Sequence, residues 1–390
     1  MPTLQLVNHK QMRRLLEAAR RDRAPQRFYN DLRDALEKKE LLPGEFSIRQ
    51  LFEEFVPQGR ELVESFNPRC TGGNDIALLE AAGAVSTSDF SNITGQIVSA
   101  RVLDALESPQ FLWDQLCEVI PTAFNGERIP GIGRIGDEAA AIAEGESYPL
   151  AGVSEEYIET PATTKRGFIV PVTREAVFFD RTGLLLSRCA EVAEFLGVNR
   201  EKRVLDCVFG VTNTYNRNGT AYNTYQASTP WINVQATNAL VDWTDVENAE
   251  LLFDAMTDPN TGEPLAVMPD TILVPTALKH TARRIVSSTE IRYGDGASQT
   301  TQTVSVNPLG NQYRILSSPY IKSRTGSAST WFLGQPKKAF AYMQNWGATV
   351  VQAPDNSEAE FTQDVVARFK VSERGTPAVL EPRRMVKCTA

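Results

Sequence analysis

Histidine and cysteine, the residues that most often build catalytic and metal sites, are scarce in this sequence. The 390 residues include two histidines, His9 and His280, and five cysteines with no pair at metal-clip spacing. A Walker loop, a G-x-S-x-G elbow and the H-E-x-x-H and C-x-x-C motifs are all absent. We therefore expect no metal, no cofactor and no enzymatic activity. The cysteines are expected to be small buried hydrophobic residues in a reducing compartment: Cys70, Cys117, Cys189, Cys207 and Cys388.

Long apolar runs and an excess of basic charge are missing as well. No apolar stretch is long enough to span a bilayer, and the start, MPTLQLVNHKQMRR, lacks the apolar centre of a signal peptide. The formal net charge is −8, so the chain has no strongly basic footprint with which to grip nucleic acid. An acidic protein can still enclose nucleic acid without gripping its phosphates. We expect no membrane partner and no sequence-specific binding of DNA.

What the sequence does have is an ordinary globular composition. Hydrophobic residues make up 42% of the chain and charged residues 23%, which is enough apolar material for a sizeable core. The length predicts two or three domains.

The first half of the chain changes from charged helices to one long helix. Residues 8–67 place Leu and Ala at helical spacing among charged residues, and residues 70–96 have too little apolar surface for a core of their own. The segment PQFLWDQLCEVIPTAF predicts a compact amphipathic helix after Pro109. Farther on, apolar spacing predicts a single helix from Thr173 to Gly210, about 55 Å long if it is unbroken.

The second half predicts a mixed α/β body. TDVENAELLFDAMTDP is typical of a capped helix, TILVP of a buried strand, and TALKHTARRIVSST of a helix that follows this strand. GDGASQTTQTVSVNPLGNQY is predicted to be a loop. RILSSPYI, TWFLG, AFAYMQ, ATVVQAP and QDVVARFKVSERG predict successive strands, and EPRRMVK predicts a strand with alternating exposed charges.

One glycine-rich stretch, IPGIGRIGDEAAAIAEGESYP, raises the question of nucleotide binding. Gly131, Gly133 and Gly136 have the spacing of a dinucleotide-binding turn. Such a turn needs a buried strand before it and a helix after it, whereas here the preceding residues are polar and the following ones open with two acids. A nucleotide-binding α/β enzyme is therefore the weakest interpretation. The stretch fits better as part of a long two-stranded loop, residues 125–168, that must be held by something outside its own domain.

Four segments, in this order, carry a resemblance to a known family: AAAIAEGESYP, TTKRGFIVPVTREAVFFD, DTILVPTALKHTARRIV and ATVVQAPDNSEAEFTQDVVARFKVSERGTPAVLEP. They resemble an extended loop, the strand that opens a long spine helix, the strand and helix of an axial domain, and a peripheral hairpin with its closing strands. These are the parts of the major capsid proteins of tailed bacteriophages, the Hong Kong 97-type fold. The third segment is similar to the Mu-like major head subunit in particular.

The resemblance implies an α+β fold with an N-terminal arm, an extended β-hairpin loop, a long spine helix, and peripheral and axial domains. The implied division is an N-terminal helical extension 1–70, an arm with a leading helix 71–124, an extended loop 125–168, a peripheral domain 169–212 with 346–378, and an axial domain 213–345 with 379–390. Whether residues 1–70 act as a built-in scaffold or as a shell-stabilising extension stays open.

The implied function is that of a shell subunit in the virion, assembled in the bacterial host cytoplasm. Copies would form hexamers and pentamers of an icosahedral head around double-stranded DNA, with portal, scaffolding and decoration proteins as further partners. The only lysine of the hairpin, Lys165, lies at its base, so we expect no lysine crosslink from the loop. An encapsulin-like compartment on the same fold stays an alternative. The loop residues implied to contact a neighbouring subunit are Arg128, Arg134, Asp137, Glu138, Glu144, Glu146 and Tyr148.

Overall fold

The computed structural model describes residues 25–38, 111–131, 156–173, 184–212, 215–258, 262–294, 302–352 and 365–390, with isolated positions between 14 and 142. Helices and strands occur together in an α+β arrangement, which confirms the predicted fold class. The helices are α1 Pro25–Glu37, α2 Trp113–Leu116, α3 Leu184–Val208, α4 Trp243–Asp254, α5 Lys279–Ser287, α6 Tyr320–Thr325 and α7 Pro336–Ala339. The strands are β1 Glu118–Pro121, β2 Arg128–Pro130, β3 Tyr157–Glu159, β4 Thr164–Thr173, β5 Tyr215–Arg217, β6 Thr220–Tyr222, β7 Val234–Gln235, β8 Thr271–Pro275, β9 Glu290–Gly294, β10 Gln302–Val306, β11 Arg314–Ser318, β12 Trp331–Gly334, β13 Phe340–Gln352, β14 Val365–Val379 and β15 Met385–Cys388.

The chain divides into two compact units. Unit 1 comprises Met1–Pro109, Lys165–Val198 and Gly347–Glu373, and unit 2 comprises Gln110–Thr164, Asn199–Trp346 and Arg374–Ala390. In unit 1, β14 lies between β13 and β4, and the Thr349 hydroxyl donates to the Ser372 carbonyl over 3.1 Å. Unit 2 contains the larger share of the described core and is the part from which the functional argument is built.

A five-stranded sheet with two apolar faces forms the centre of unit 2. Its strand order is β11-β8-β12-β15-β7, with β8 parallel to β11 and antiparallel to β12. Successive side chains of a strand point to opposite faces, so a strand buried on both faces reads as a continuous apolar run. In β12, Trp331 and Leu333 belong to one buried cluster and Phe332 to the other. All five residues of TILVP, strand β8, are buried, as the sequence predicts.

Helix α3 ends against this sheet at a left-handed glycine. Gly210 has φ +70°, and the Val211 amide donates to the Asp206 carbonyl over 2.9 Å. This is the usual arrangement at a helix C-terminus, where a residue without a β-carbon adopts the left-handed region. A β-carbon added at Gly210 would also lie 2.5 Å from the ring of Tyr225, so both the backbone conformation and the packing require glycine here.

A buried carboxylate on α3 fixes the start of α2. Glu201 accepts the backbone N–H of Leu112 over 3.1 Å and that of Trp113 over 2.9 Å, while its side chain is almost fully buried. The first N–H groups of a helix have no partner within the helix, so a side-chain acceptor stabilises the helix start. Burial raises the pKa of Glu201, and the two donated hydrogen bonds offset part of this increase.

Two predicted helices are shorter in the structure. The segment after Pro109 forms only the four-residue helix α2, because Glu118–Pro121 pairs in parallel with β13 and takes its backbone hydrogen bonds there. Thr173 ends strand β4 instead of starting a helix. Helix α3 is described from Leu184, about 37 Å long at the usual rise, and residues 174–183 lie outside the described residues.

Three further predictions were wrong in the second half. The predicted loop after Gly294 contains strand β10, which pairs antiparallel with β9. AFAYMQ and ATVVQAP form one strand, β13, which continues through Asn345, Trp346 and Gly347 and lies between β1 and β14 in its sheet. EPRRMVK does not expose all its charges, because Arg383 is buried in a short 3-10 turn. Its guanidinium donates to the buried carboxylate of Glu381, two residues away. Within the described residues, no helix is long and apolar enough to cross a membrane.

Candidate assembly surface

A small four-stranded sheet of unit 2 contains the strands that precede and follow the glycine-rich stretch in the sequence. The strand order is β2-β3-β5-β6, all antiparallel, with Arg128 opposite Glu159 and Pro130 opposite Tyr157. Strands β2 and β3 are three residues each, so they stand at the two ends of residues 131–156. The loop predicted for residues 125–168 therefore has an antiparallel base.

Asn218 and Gly219 close the second hairpin of this sheet and tie it to the first. Both have positive φ values, 50° and 77°, as a tight Asn-Gly hairpin turn requires. The Asn218 side-chain oxygen accepts the Tyr157 amide over 2.9 Å, and the Asn218 amide donates to the Tyr157 carbonyl over 3.0 Å. The return strand of the loop is thus held by a turn that is 61 residues away in the sequence.

Arg128 lies on the exposed side of the base. Its Nε donates to Glu159 Oε1 over 3.0 Å, and its guanidinium lies 4.6 Å from the centre of the Tyr157 ring. The Arg128 side chain remains 68% exposed, so these contacts orient the guanidinium without covering it. An oriented, exposed arginine beside an aromatic ring is well suited to bind a carboxylate of another molecule.

The opposite side of the base is held by buried charges. Glu156 and Arg217 form an ion pair with 2.5 Å between Oε1 and Nε, and both side chains are largely buried. Arg383 donates to Glu381 through Nε over 2.7 Å and through a terminal nitrogen over 2.8 Å. Burial, followed by the charge of Glu381, raises the pKa of the Tyr215 phenol, on which Arg383, Arg217 and Glu156 also act. Both ion pairs influence the same buried tyrosine, and the base is joined to the body where Ile158 and Tyr215 enter the core cluster of unit 2.

Gly131 serves the packing of this base and does not form a nucleotide turn. Its amide donates to the Glu156 carbonyl over 2.9 Å, and an added β-carbon would lie 2.5 Å from Glu156 Cγ. Strand β2 before it is an exposed, antiparallel three-residue strand. A dinucleotide turn follows a buried parallel strand and faces a phosphate, whereas Gly131 faces a carboxylate. The nucleotide interpretation therefore has no support at Gly131.

A second exposed feature, the Trp346 patch, consists of Phe124, Asn345, Trp346 and Arg374. Asn345 donates to the carbonyls of Thr122 and Phe124 over 2.9 and 3.0 Å. The Arg374 guanidinium lies 5.6 Å from the Trp346 ring centre. Phe124 is 64% exposed and Trp346 is 37% exposed. Exposed aromatic side chains held in place by polar contacts are typical of protein interaction sites.

The sequence predicted part of this surface. Arg128 is described and lies on the base, with its guanidinium exposed. The roles of Tyr157, Arg217 and Trp346 were missed, because each depends on strand pairings between distant segments that periodicity does not reveal. Outside the described residues lie Gly133 and Gly136 and the remaining predicted contact residues: Arg134, Asp137, Glu138, Glu144, Glu146 and Tyr148.

Comparison with known proteins gives one family and several structures. The model of a family described as phage capsid protein matches residues 156–388, more than half of the chain. A structure from Mycobacterium phage Bobi is 13% identical, with 73% of this chain and 93% of that chain covered and a TM-score of 0.43. The capsid structure of cyanophage P-SCSP1u is 11% identical, with 72% and 88% covered and a TM-score of 0.45. A virus-like particle from Pyrococcus furiosus is 13% identical, with 75% and 98% covered and a TM-score of 0.42. No match was found among curated protein sequences.

Proposed function

Since the chain belongs to the phage capsid protein family, we propose that its copies form hexamers and pentamers that close into an icosahedral head around double-stranded DNA. It is a major capsid protein, and its role in the virion is structural. This confirms the resemblance that the sequence carries to tailed-phage major capsid proteins. Assembly in the host cytoplasm and the absence of catalysis are parts of the proposal.

The observation that carries the proposal is the base of the loop. Three-residue strands bury little apolar surface, and the base is held by ion pairs on one side while Arg128 stays exposed on the other. Twenty-odd residues between the two strands carry several acids and few large apolar side chains. A segment with so little apolar surface cannot form a core of its own, and a second copy offers it a surface on which to pack.

The residues proposed to make this contact are those that the resemblance implies for the extended loop. Arg128 would bind a carboxylate of the neighbouring subunit, and the acidic side chains of the loop would bind basic groups there. The full set is Arg128, Arg134, Asp137, Glu138, Glu144, Glu146 and Tyr148. We also propose that the chain is divided into an N-terminal extension, an arm, an extended loop, and peripheral and axial domains.

Further partners follow from a head of this kind. A net charge of −8 suits a wall that encloses DNA without binding it tightly. Portal, scaffolding and decoration proteins are the other partners that we propose. An encapsulin-like compartment is the alternative, and the phage capsid family match favours the head.

Electron microscopy of the purified chain tests the proposed assembly. Closed shells with five-fold and six-fold rings are expected, and nuclease-resistant DNA inside particles from infected cells is expected for a phage head. Closed shells that hold only protein cargo would favour the encapsulin-like alternative. A chain that stays a single globule at every concentration would contradict both.

Neutralising the loop acids tests the proposed contact. In the variant Asp137→Asn/Glu138→Gln/Glu144→Gln/Glu146→Gln, the urea midpoint of the dissociated subunit should stay unchanged while shell yield falls about tenfold or more. The control is Glu263→Gln/Glu290→Gln, which removes two exposed carboxylates elsewhere in unit 2 and should assemble normally. Normal shell yield from the loop variant would rule out these acids as contacts.

A further inference from the structure

Helix α4 carries exposed acidic side chains along one of its faces. Asp242 and Asp245 form a capping box: Asp242 accepts the backbone N–H of Thr244, and Asp245 accepts the backbone N–H of Asp242. Glu250 accepts the Tyr313 hydroxyl. Glu247, Leu251 and Asp254 remain exposed at spacings of four and three residues, which places them on one face of the helix. We call Glu247, Leu251 and Asp254 the acidic stripe. Leu251 is 57% exposed, so the stripe has an apolar centre between two carboxylates.

Helix α4 contains four acidic side chains, Asp245, Glu247, Glu250 and Asp254, and no basic one. Burial raises the pKa of Glu250, and the charges of Glu247 and Asp254 raise it further. Within the described part of unit 2, no ion pair joins Glu247 or Asp254 to a basic side chain. A like-charged face of this kind is stabilised by a basic partner.

Helix α5 carries the opposite charge. Its nine residues, KHTARRIVS, include three basic side chains and no acidic one. Ala282, Ile285 and Val286 are buried in the core, while His280, Arg283, Arg284 and Ser287 are exposed on the other face. Among the described residues, neither arginine forms an ion pair. We call this exposed face the basic stripe.

Both helices cover the same face of the five-stranded sheet, on different halves of it. Helix α4 packs over β12 and β15, and α5 packs over β8 and β11. Adjacent strands are about 4.8 Å apart, so the helix axes lie about two strands apart, the usual helix–helix distance. The two stripes are rigidly placed on one sheet, yet they do not pair with each other within the described part of the chain.

From this arrangement we propose that the acidic stripe of one copy binds the basic stripe of the next copy in a ring. Complementary patches at two places on one subunit are what a head-to-tail contact needs, and such a contact gives a ring of five or six where the rotation between neighbours closes. Leu251 would be the buried centre of the contact, with the charges around it. The inference rests on the proposed ring assembly and names the pair of surfaces that joins the subunits.

Charge reversal on each stripe tests the pairing. Arg283→Glu/Arg284→Glu gives a subunit with two acidic stripes, and Glu247→Lys/Asp254→Lys gives one with two basic stripes. Each variant alone should lose ring and shell formation by about tenfold or more, because like charges then face each other. The urea midpoint of the dissociated subunit should stay near that of the wild type, since all four side chains are exposed. The combined four-fold variant, with the stripes exchanged, should assemble again.

Mixing the two reversed subunits gives a sharper result. An acidic–acidic copy can pair only with a basic–basic copy, so the mixture should form rings with an even number of subunits. Native mass spectrometry should then show hexamers in which the two variants alternate, and no mixed pentamers. The matched control is Lys337→Glu/Lys338→Glu, which reverses two exposed lysines on α7 and should form both rings.

Failure of the wild-type chain to form any ring would contradict the proposed function itself. Normal assembly of the wild type and of both single-stripe variants would contradict only the pairing of the stripes. If Arg283→Glu/Arg284→Glu shells form at wild-type yield but hold less DNA, the basic stripe binds DNA, and the pairing is overturned. Loss of assembly in both variants with recovery in the combined variant and in the mixture would establish the pairing.

Discussion

The five-stranded and four-stranded sheets of unit 2 belong to the same compact body but are stabilised in different ways. The five-stranded sheet buries long apolar side chains on both faces, among them Trp331, Phe332 and Ile272. The four-stranded sheet has three-residue strands, places Ile158 and Tyr215 in the core, and is otherwise held by the Glu156–Arg217 pair and the Asn218 turn. Apolar burial supplies most folding free energy, whereas ion pairs mainly fix geometry. The five-stranded sheet therefore owes its stability to apolar burial within one chain. The four-stranded sheet buries less and supports the two ends of the loop.

Removal of a core side chain from the five-stranded sheet should have the largest effect. Phe332 is fully buried, and its ring lies 5.4 Å from that of Phe209. Phe332→Ala should lower the free energy of unfolding by about 3–5 kcal/mol, because it removes the ring and leaves a cavity. Urea unfolding of the dissociated subunit measures this. The control Phe124→Ala makes the same truncation at an exposed position and should change stability little; equal losses in the two variants would refute the assigned core.

Breaking the buried pair under the loop should cost somewhat less. Arg217→Ala leaves Glu156 buried beside Tyr215 without this partner, which should destabilise the subunit by about 3 kcal/mol. The double variant Glu156→Gln/Arg217→Met removes both charges and should recover much of this loss. If the double variant is as unstable as the single one, the loss does not come from a buried charge without its partner.

The carboxylate of Glu201 should show the smallest of these effects. Glu201→Ala leaves the Leu112 and Trp113 amides without their acceptor and should cost about 2 kcal/mol. Glu201→Gln keeps an acceptor oxygen and should be nearly neutral at pH 7.

The same pair of variants gives a prediction for pH. The raised pKa of Glu201 means that the folded state holds this proton more tightly than the unfolded state. Its contribution to stability is therefore fully present below the unfolded pKa and is lost as pH rises through the folded pKa. Urea midpoints measured across that acid range should show this decline in the wild type and not in Glu201→Gln. The same decline in both would assign it to another group.

The contrast between the two sheets also explains how far the sequence could be interpreted. Strand β8, helix α4 and helix α5 were predicted because apolar spacing and capping residues are local signals. Strand β10 was missed because its polar residues form a strand only through pairing with β9. The burial of Arg383 was missed for a similar reason, since its guanidinium is compensated by Glu381 in a turn that periodicity does not reveal.

Only some features of the candidate surface could be recognised from the sequence. The glycine-rich stretch and Arg128 stood out in the sequence, because glycine spacing and the charge pattern are visible there. The partners that orient Arg128, and the contact of Arg374 with Trp346, come from strand pairings that are not visible. Neither the sequence pattern nor the structure of one chain identifies the partner of this surface. Membership of the phage capsid protein family indicates that the partner is a second copy of the chain.

Amide hydrogen exchange, compared between dissociated subunits and assembled shells, tests the central claim most directly. Strands β8 and β12 should be protected equally in both states, because their core is complete within one chain. The amides of Arg128, Ile129 and residues 157–159 lie in strands of only three residues, so they should exchange faster than those of β8 and β12 in the free subunit and become protected on assembly. Equal and strong protection of these amides in the free subunit would show that the loop base needs no second copy, and would contradict the account.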